Sequence, residues 1–358
     1  MRFPYAGLPD FQIWSRAIED RPAGFVDPQH AGRFKVDRTT RIASAGSCFA
    51  QRIAERLRSS GYTYFVAEPG PVWESAEQRR KRNYGAYSAR FGDIYTTLQL
   101  VQLARRATGS FEPSEPPWPL KGRFADPLRP RVEPGGFASI AVLEADRKQH
   151  LAAVRRMLAE SEVFVFTLGL TETWVCTDDE AALPLCPGAG VGTFDAERYR
   201  FRNLSVAENV QYLDEFLQIA RALNPSLRVI FTVSPVPLAA TMEPRHVAQS
   251  TFWSKAVLRV AAEEMRARYD FVDYFPSYEI VMGFDGNDGF EADRRTVSAN
   301  AVDRVMHSFF RAYAAQNDER AVAALTAQPV VADIEEDVCN EVYFEKFLAE
   351  NARIGVAD

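Results

Sequence analysis

The stretch from Arg41 to Ala50, RIASAGSCFA, decides the fold. A short, mostly apolar run comes first, and apolar residues then recur at helical spacing until a stop signal at Gly61. The pattern predicts a strand, a tight turn at Gly46 and Ser47, and a helix over 49–60. The free amides and the dipole at the start of such a helix favour an anion. A serine nucleophile and the oxyanion of an acyl transfer would both suit this turn.

Composition sets the class of protein. The chain has 358 residues, 47% of them hydrophobic, which is enough for one large α/β core. Its net charge of −6 argues against a nucleic-acid binder, which usually carries a basic excess. The N-terminus lacks the pattern of a signal peptide, and no apolar run approaches the roughly 20 residues of a membrane span. We therefore expect a cytoplasmic protein without a membrane span.

The four cysteines are too scattered for a disulfide framework or for a paired zinc site. Reduced thiols are the default expectation, and a bridge across the loop between Cys176 and Cys186 remains an open alternative. Cys48, at a helix start, is a second candidate nucleophile beside Ser47. Its position one residue inside the helix favours packing against the sheet instead.

Helical patterns alternate with short apolar runs from about residue 40 to 315, which is typical of a parallel sheet covered by helices on both faces. The predicted fold is a three-layer α/β/α, doubly wound, flavodoxin-like domain. Continuous apolar runs at 163–168 and 229–233 predict strands buried on both faces. Weaker strands are expected at 41–45, 62–66 and 270–272, and helices at 49–60, 94–107, 144–161, 206–222, 252–268 and 299–314.

Two segments interrupt this alternation. Residues 111–137 carry seven prolines, which exclude a regular helix or a central strand, and 174–204 is a second long connection. Both are candidate walls or lids of a pocket. The predicted organisation is an N-terminal extension at 1–34, a core domain at 35–315 and an acidic tail at 316–358. The tail is expected to form a helical element that packs on the core or on a second subunit.

A doubly wound sheet builds its site at the carboxyl ends of its strands. Polar or turn-forming residues follow three of the predicted strands there: Gly46 and Ser47 after the first, 169–174 after the third, and Ser234 after the fourth. The segment 290–294 precedes the last core helix. We expect all of them to share one edge of the sheet.

Five blocks along the chain carry a resemblance to the GSCFA family, within the SGNH/GDSL-type hydrolase superfamily. The blocks are GSCFA at 46–50, ARFGDIYT at 89–96, FTLGLTE at 166–172, SPVPL at 234–238 and YFPSYEI at 274–280. The resemblance covers roughly residues 35–312. It implies a serine-dependent acyl-ester hydrolase or O-acyltransferase that acts on an acylated carbohydrate or another small hydroxylated substrate.

The resemblance also assigns roles to residues. Ser47 corresponds to the nucleophile, and the amides of Ser47 and Gly92 to two donors of the oxyanion hole. Gly85 is the runner-up for Gly92. Thr171 stands where the superfamily has an asparagine as the third oxyanion donor, and Glu172 stands where it has an aspartate.

The last block departs from the superfamily pattern. A D-x-x-H motif is expected there, but the chain has Asp293-Arg294-Arg295-Thr296. Of the four histidines, His246 follows the fourth strand and lies on the edge that Ser47 occupies, whereas His30, His150 and His307 do not. We therefore predict His246 as the general base, against the alternative of a loop or capping histidine.

Asp293 is the predicted orienting carboxylate, against an alternative role at the start of the last core helix. Glu172 and Glu279 are acidic substitutes for it, and Glu172 and Trp174 are predicted to bind the substrate, Trp174 as a platform for a sugar ring. The resemblance implies no cofactor or metal, and a homo-oligomer is compatible with it. The competing interpretation is a catalytically altered protein that binds a glycan or a protein partner.

Overall fold

The computed structural model describes residues 3–19, 26–29, 31–283, 287–315 and 340–351. Its strands are β1 Ile42–Ala45, β2 Trp118–Leu120, β3 Arg123–Ala125, β4 Val163–Leu168, β5 Glu172–Cys176, β6 Ala182–Leu183, β7 Tyr199–Asn203, β8 Arg228–Val233 and β9 Val272–Phe275. Its α-helices are α1 Cys48–Ser59, α2 Ala76–Lys81, α3 Thr97–Thr108, α4 Ile140–Glu160, α5 Val206–Leu223, α6 Val247–Arg268, α7 Ser277–Met282, α8 Ala299–Tyr313 and α9 Asn340–Asn351.

Four parallel strands form the central sheet in the order β1-β4-β8-β9. In β4 every residue is buried, because successive side chains enter opposite cores: Phe164 and Phe166 on one face, Val163 and Val165 on the other. The predicted α/β fold with a parallel sheet is confirmed. The strand predicted at 62–66 is wrong, since Tyr64 forms only an isolated bridge with Ile42 there.

Helices cover both faces of the sheet. Side chains of α1, α7 and α8 pack in one cluster, and side chains of α3, α4, α5 and α6 pack in the other. A capping box begins α5, with the Ser205 side chain accepting from the Glu208 amide. All six predicted core helices are confirmed within about five residues at their ends.

Both connections that interrupt the alternation contain paired strands. The proline-rich segment carries the β2–β3 hairpin, and the second connection belongs to an antiparallel sheet in the order β6-β5-β7. A separate apolar cluster joins them through Trp118, Leu183 and Tyr199, and Tyr343 and Phe347 of α9 pack against it. The expected helical element in the tail thus exists and packs on its own chain. Of the helices the structure describes, none has the length and apolarity to cross a bilayer.

Candidate active site

The turn between β1 and α1 has a conformation that only glycine tolerates. Gly46 has φ +146°, and a Cβ there would lie 2.8 Å from Thr167 Cβ and 2.9 Å from the Thr167 carbonyl oxygen. Ser47 follows as the N-cap of α1, yet its side chain makes no capping hydrogen bond, and the residue is 1% exposed. The chain therefore brings a serine to the positive end of a helix without using its hydroxyl as the cap.

Cysteine chemistry at this turn differs from expectation. Cys48 is disulfide-bonded, which corrects the default of reduced thiols and excludes this residue as a free thiol nucleophile in this state. Cys176 and Cys186 are free, so the alternative bridge between them is not formed. Burial raises the pKa of the Cys186 thiol to about 11.

The block at 89–96 docks on the serine turn through its backbone. The Ile94 amide donates to the Gly46 carbonyl at 2.9 Å, and Gly92, two residues earlier, has φ +71°. Neither the Ser47 amide nor the Gly92 amide donates to any residue that the structure describes. These are the two amides that the resemblance assigns to an oxyanion hole.

Arg90 fixes this block to its surroundings. Its guanidinium is fully buried and donates to Asp146 Oδ1, to the Val132 carbonyl and to Glu133 Oε2, each at 2.6 Å. The Arg90 amide donates to Glu68 Oε2 at 2.7 Å. A buried charge is tolerated only when it is paired and hydrogen-bonded in this way. The position of Gly92 therefore depends on a charge network two residues away.

His150 belongs to the same buried network and not to the serine turn. Its Nδ1 lies 2.8 Å from Glu68 Oε2. Burial, followed by the nearby positive charge of Arg129, lowers the pKa of His150 to about 4. The ring is therefore neutral at pH 7 and has a structural role.

Thr171 uses its hydroxyl elsewhere. Its Oγ1 lies 2.7 Å from Asn203 Oδ1, to which it donates, and its amide donates to Ser254 Oγ at 2.9 Å. A hydroxyl has one proton to donate. Thr171 thus joins β5 and β7 to α6, and the expected third oxyanion donor is not available in this arrangement.

His246 is exposed and lies at the N-terminus of α6. Its Nδ1 accepts from the Ala248 amide at 3.1 Å, so the side chain caps the helix. Among the described residues, no hydrogen bond joins it to Ser47. His307 is exposed on α8, and His30 lies outside the described residues. The assignment of His246 as base stays a prediction.

The carboxylate of Asp293 is held by its own turn. It accepts from the amides of Arg295 and Thr296, both at 2.9 Å, and from Thr296 Oγ1 at 2.6 Å. Burial opposes the effect, but these donors, led by the Thr296 hydroxyl, lower the pKa of Asp293. Thr296, at the place of the expected histidine, therefore binds the aspartate that would have oriented that histidine.

A cavity of about 250 Å³ lies beside this edge of the sheet, between β5, the loop at 238–242 and α9. Glu172 and Trp174, the two predicted substrate-binding residues, both line it. Glu172 accepts from Thr241 Oγ1 at 2.7 Å and from the Met242 amide at 3.3 Å, and burial raises its pKa. The structure thus brings both predicted residues to one pocket.

Comparison with known protein families supports the resemblance. The model of the GSCFA family matches residues 41–309. The chain belongs to the GSCFA family. No curated protein matches it.

Among solved structures, one similar chain is a carbohydrate esterase family 2 enzyme with a carbohydrate binding domain, from Corynascus thermopiles (Myceliophthora fergusii). It is 15% identical, with 83% of this chain and 68% of that chain covered, at a TM-score of 0.30. At that score the likeness supports no statement about activity.

Two parts of the site in this GSCFA protein were missed at the level of sequence. Lys255 is buried on α6 and donates to the Gly169 carbonyl at 2.6 Å, at the end of β4. Phe344 and Leu348 of α9 line the cavity, although α9 lies beyond the family match. Their i, i+4 spacing was a usable signal for an apolar helix face. Within the described residues, no cluster of His, Cys, Asp and Glu is arranged to hold a metal ion.

Proposed function

We propose that this GSCFA protein is a serine-dependent acyl-ester enzyme of the SGNH type, either a hydrolase or an O-acyltransferase. One observation supports the proposal: Ser47 has an uncapped hydroxyl at a helix start, and neither its own amide nor the amide of Gly92 donates to a described residue. Backbone amides without acceptors are what a developing oxyanion requires. The Ile94–Gly46 hydrogen bond holds the two segments together.

In the proposed reaction, Ser47 Oγ attacks the ester carbonyl and its proton passes to a general base. The carbonyl oxygen becomes an oxyanion, which accepts hydrogen bonds from the amides of Ser47 and Gly92. The tetrahedral intermediate then expels the alcohol, which takes the proton and leaves an acyl-serine. Water or a hydroxyl of an acceptor then attacks the acyl-serine and takes the acyl group, and its proton passes through the base to Ser47 Oγ, which is released. The proposed substrate is an acylated carbohydrate or another small hydroxylated compound.

His246 remains the proposed base, with a condition that the geometry sets. Because Nδ1 accepts from the Ala248 amide, the single proton of the neutral ring resides on Nε2. The imidazole could accept the Ser47 proton only after this capping bond opens. The proposal therefore includes movement of the start of α6 when substrate binds.

Labelling with a fluorophosphonate probe tests the nucleophile directly. Wild-type protein is expected to label, and Ser47→Ala is expected to abolish the label, because the probe bonds to an activated serine oxygen. Ser59→Ala, at the exposed end of the same helix, is the matched control and should label as wild type does. A folded wild-type protein that stays unlabelled would exclude the proposed activity.

A second candidate function is a catalytically altered protein that binds a glycan or a protein partner at the same edge. It is favoured by the turn at 293–296, where Thr296 replaces the histidine and engages Asp293. Under this alternative, wild type stays unlabelled, and Ser47→Ala leaves binding to a neutral glycan array unchanged.

A further inference from the structure

We propose that the cavity beside α9 holds the apolar acyl chain of a neutral ester, longer than an acetyl group, and so sets the acyl specificity of the enzyme. The proposal rests on the proposed function, since it names the acyl part of that substrate. It also assigns Trp174 to the chain instead of to a sugar ring.

Most of the cavity wall is apolar, and its residues come from separate parts of the fold. Leu170 follows β4, Leu183 lies in β6, Leu185 follows it, and Phe344 and Leu348 belong to α9. Trp174 adds an aromatic surface that packs edge-on against Phe201, with 5.9 Å between the ring centroids. Burial of apolar surface is the main source of affinity that such walls provide.

The charges of the lining select against anionic ligands. Glu172 provides a carboxyl group, and none of the lining residues that the structure describes is a lysine, an arginine or a histidine. A phosphate or a carboxylate would find no cation there and would meet Glu172. Since burial raises the pKa of Glu172, its surroundings already disfavour charge. A neutral, apolar chain fits these conditions.

Size and position agree with an acyl chain that extends from the serine turn. Apolar cavities of about 150 Å³ can hold a benzene ring, so about 250 Å³ is more than an acetyl group needs. The wall begins close to the serine turn. The Leu170 amide donates to the carbonyl of Tyr95 at 2.9 Å, and the amide of Ile94, the residue before Tyr95, donates to the carbonyl of Gly46. Met242 and Leu348, 60% and 37% exposed, mark the mouth.

A series of neutral amides of increasing length tests the proposal without turnover. Acetamide, butanamide, hexanamide and octanamide would be titrated into Ser47→Ala protein by calorimetry. Each buried methylene is expected to tighten binding about fourfold. Affinity should rise with length and level off when the cavity is full. Affinity that does not depend on chain length would overturn the proposal.

A cavity-filling variant locates the binding. Ala239→Trp, in the wall, should weaken octanamide binding by more than about tenfold and leave acetamide binding within about twofold. Ala141→Trp, an exposed alanine in α4, is the matched control and should change neither. Leu348→Asp, at the exposed mouth, provides a second variant that folding should tolerate. Octanamide binding that survives both Ala239→Trp and Leu348→Asp would refute the site.

The outcomes separate this inference from the proposed function. Chain-dependent amide binding together with an unlabelled wild-type Ser47 would exclude the enzyme and support the cavity. Labelling of Ser47 together with length-independent amide binding would support the enzyme and exclude the cavity as its acyl site.

Discussion

Two tight turns precede helices in this molecule, and they use their polar side chains in opposite ways. At Gly46 and Ser47, before α1, the backbone makes the contacts and the serine hydroxyl makes no capping bond. At Asp293–Thr296, before α8, the carboxylate accepts three hydrogen bonds from its own turn. A reactive group must keep its lone pairs or proton available to substrate. The first turn leaves its hydroxyl without a capping bond, whereas the second turn engages its carboxylate.

The largest expected effect comes from changing the intact turn. Gly46→Ala should reduce Ser47 labelling to background and lower the free energy of unfolding by about 2–5 kcal/mol, because it adds both a strained φ and a contact with Thr167. Denaturant unfolding and probe labelling measure the two effects.

Gly135→Ala separates strain from contact. Gly135 has φ +77°, but no atom outside its chain neighbours lies within 4 Å of a Cβ built there. Its cost should be about 1–2 kcal/mol, and labelling should persist. If Gly46→Ala lowered stability and labelling no more than Gly135→Ala does, the close contact of the serine turn with β4 would not be needed for the reactivity of Ser47.

The next effect distinguishes the two roles of His246. His246→Asn keeps a side chain that caps helices well, and His246→Ala removes it. If His246 is the base, both variants should lose about 10²–10⁴ in the rate of acyl-enzyme formation. Stopped-flow measurement of the acylation step gives this rate.

A capping role predicts a different pattern. His246→Asn would then retain its rate and stability, and His246→Ala would lose about 1 kcal/mol of stability with its rate within about threefold of wild type. That second pattern would exclude His246 as the general base. No residue would then be assigned in place of the histidine that is missing from the turn at 293–296.

The third effect concerns the network that holds Gly92 in place. The pKa of His150 is about 4 in the folded protein and near 6.5 when unfolded, so the unfolded chain binds more protons between these values. The contribution of His150 to stability is therefore full above about pH 6.5 and is lost as pH drops to about 4, by as much as about 3 kcal/mol. His150→Gln should flatten this pH dependence in denaturant titrations.

His307→Gln, at an exposed position on α8, is the matched control and should retain the wild-type pH dependence. An unchanged slope in His150→Gln would contradict this assignment, because the buried carboxyl group of Asp126 in the same network titrates only at lower pH. Arg129 and Arg147 hold the pKa of Asp126 below its ordinary value against the effect of burial.

Local sequence patterns were sufficient to predict the central strands and core helices of this fold. The apolar run at 163–168 predicted β4 to the residue, because a strand buried on both faces has few other compositions available. The serine turn was also predictable, since the glycine, the serine and the helix pattern are contiguous. Tyr64 failed as a strand residue because a pairing partner, not propensity, decides whether an edge segment forms a ladder.

The rest of the site depends on contacts between distant residues. Thr171 donates a hydrogen bond to Asn203, and Arg90 donates one to Asp146. No local sequence pattern predicts either contact. The cavity wall from α9 is more distant still, since Phe344 and Leu348 follow the family match by more than 30 residues. Residue type predicted which groups could react, but only the fold decided which of them are already hydrogen-bonded.

The smallest effect, and the most direct test of the comparison, restores the missing group. Thr296→His would place an imidazole three residues after Asp293, as in the D-x-x-H pattern, and would remove the hydroxyl that now binds the Asp293 carboxylate. We expect acylation of Ser47 to accelerate at least about tenfold, less than the about 10²–10⁴ of an evolved base, because the surrounding turn is not adapted to it. Thr296→Asn, which cannot act as a base, is the control. An acceleration that requires Asp293 and has a pH dependence typical of a histidine would show that the two turns still face one reaction centre. Equal acylation rates in Thr296→His and Thr296→Asn would show that a side chain at the second turn does not act on Ser47.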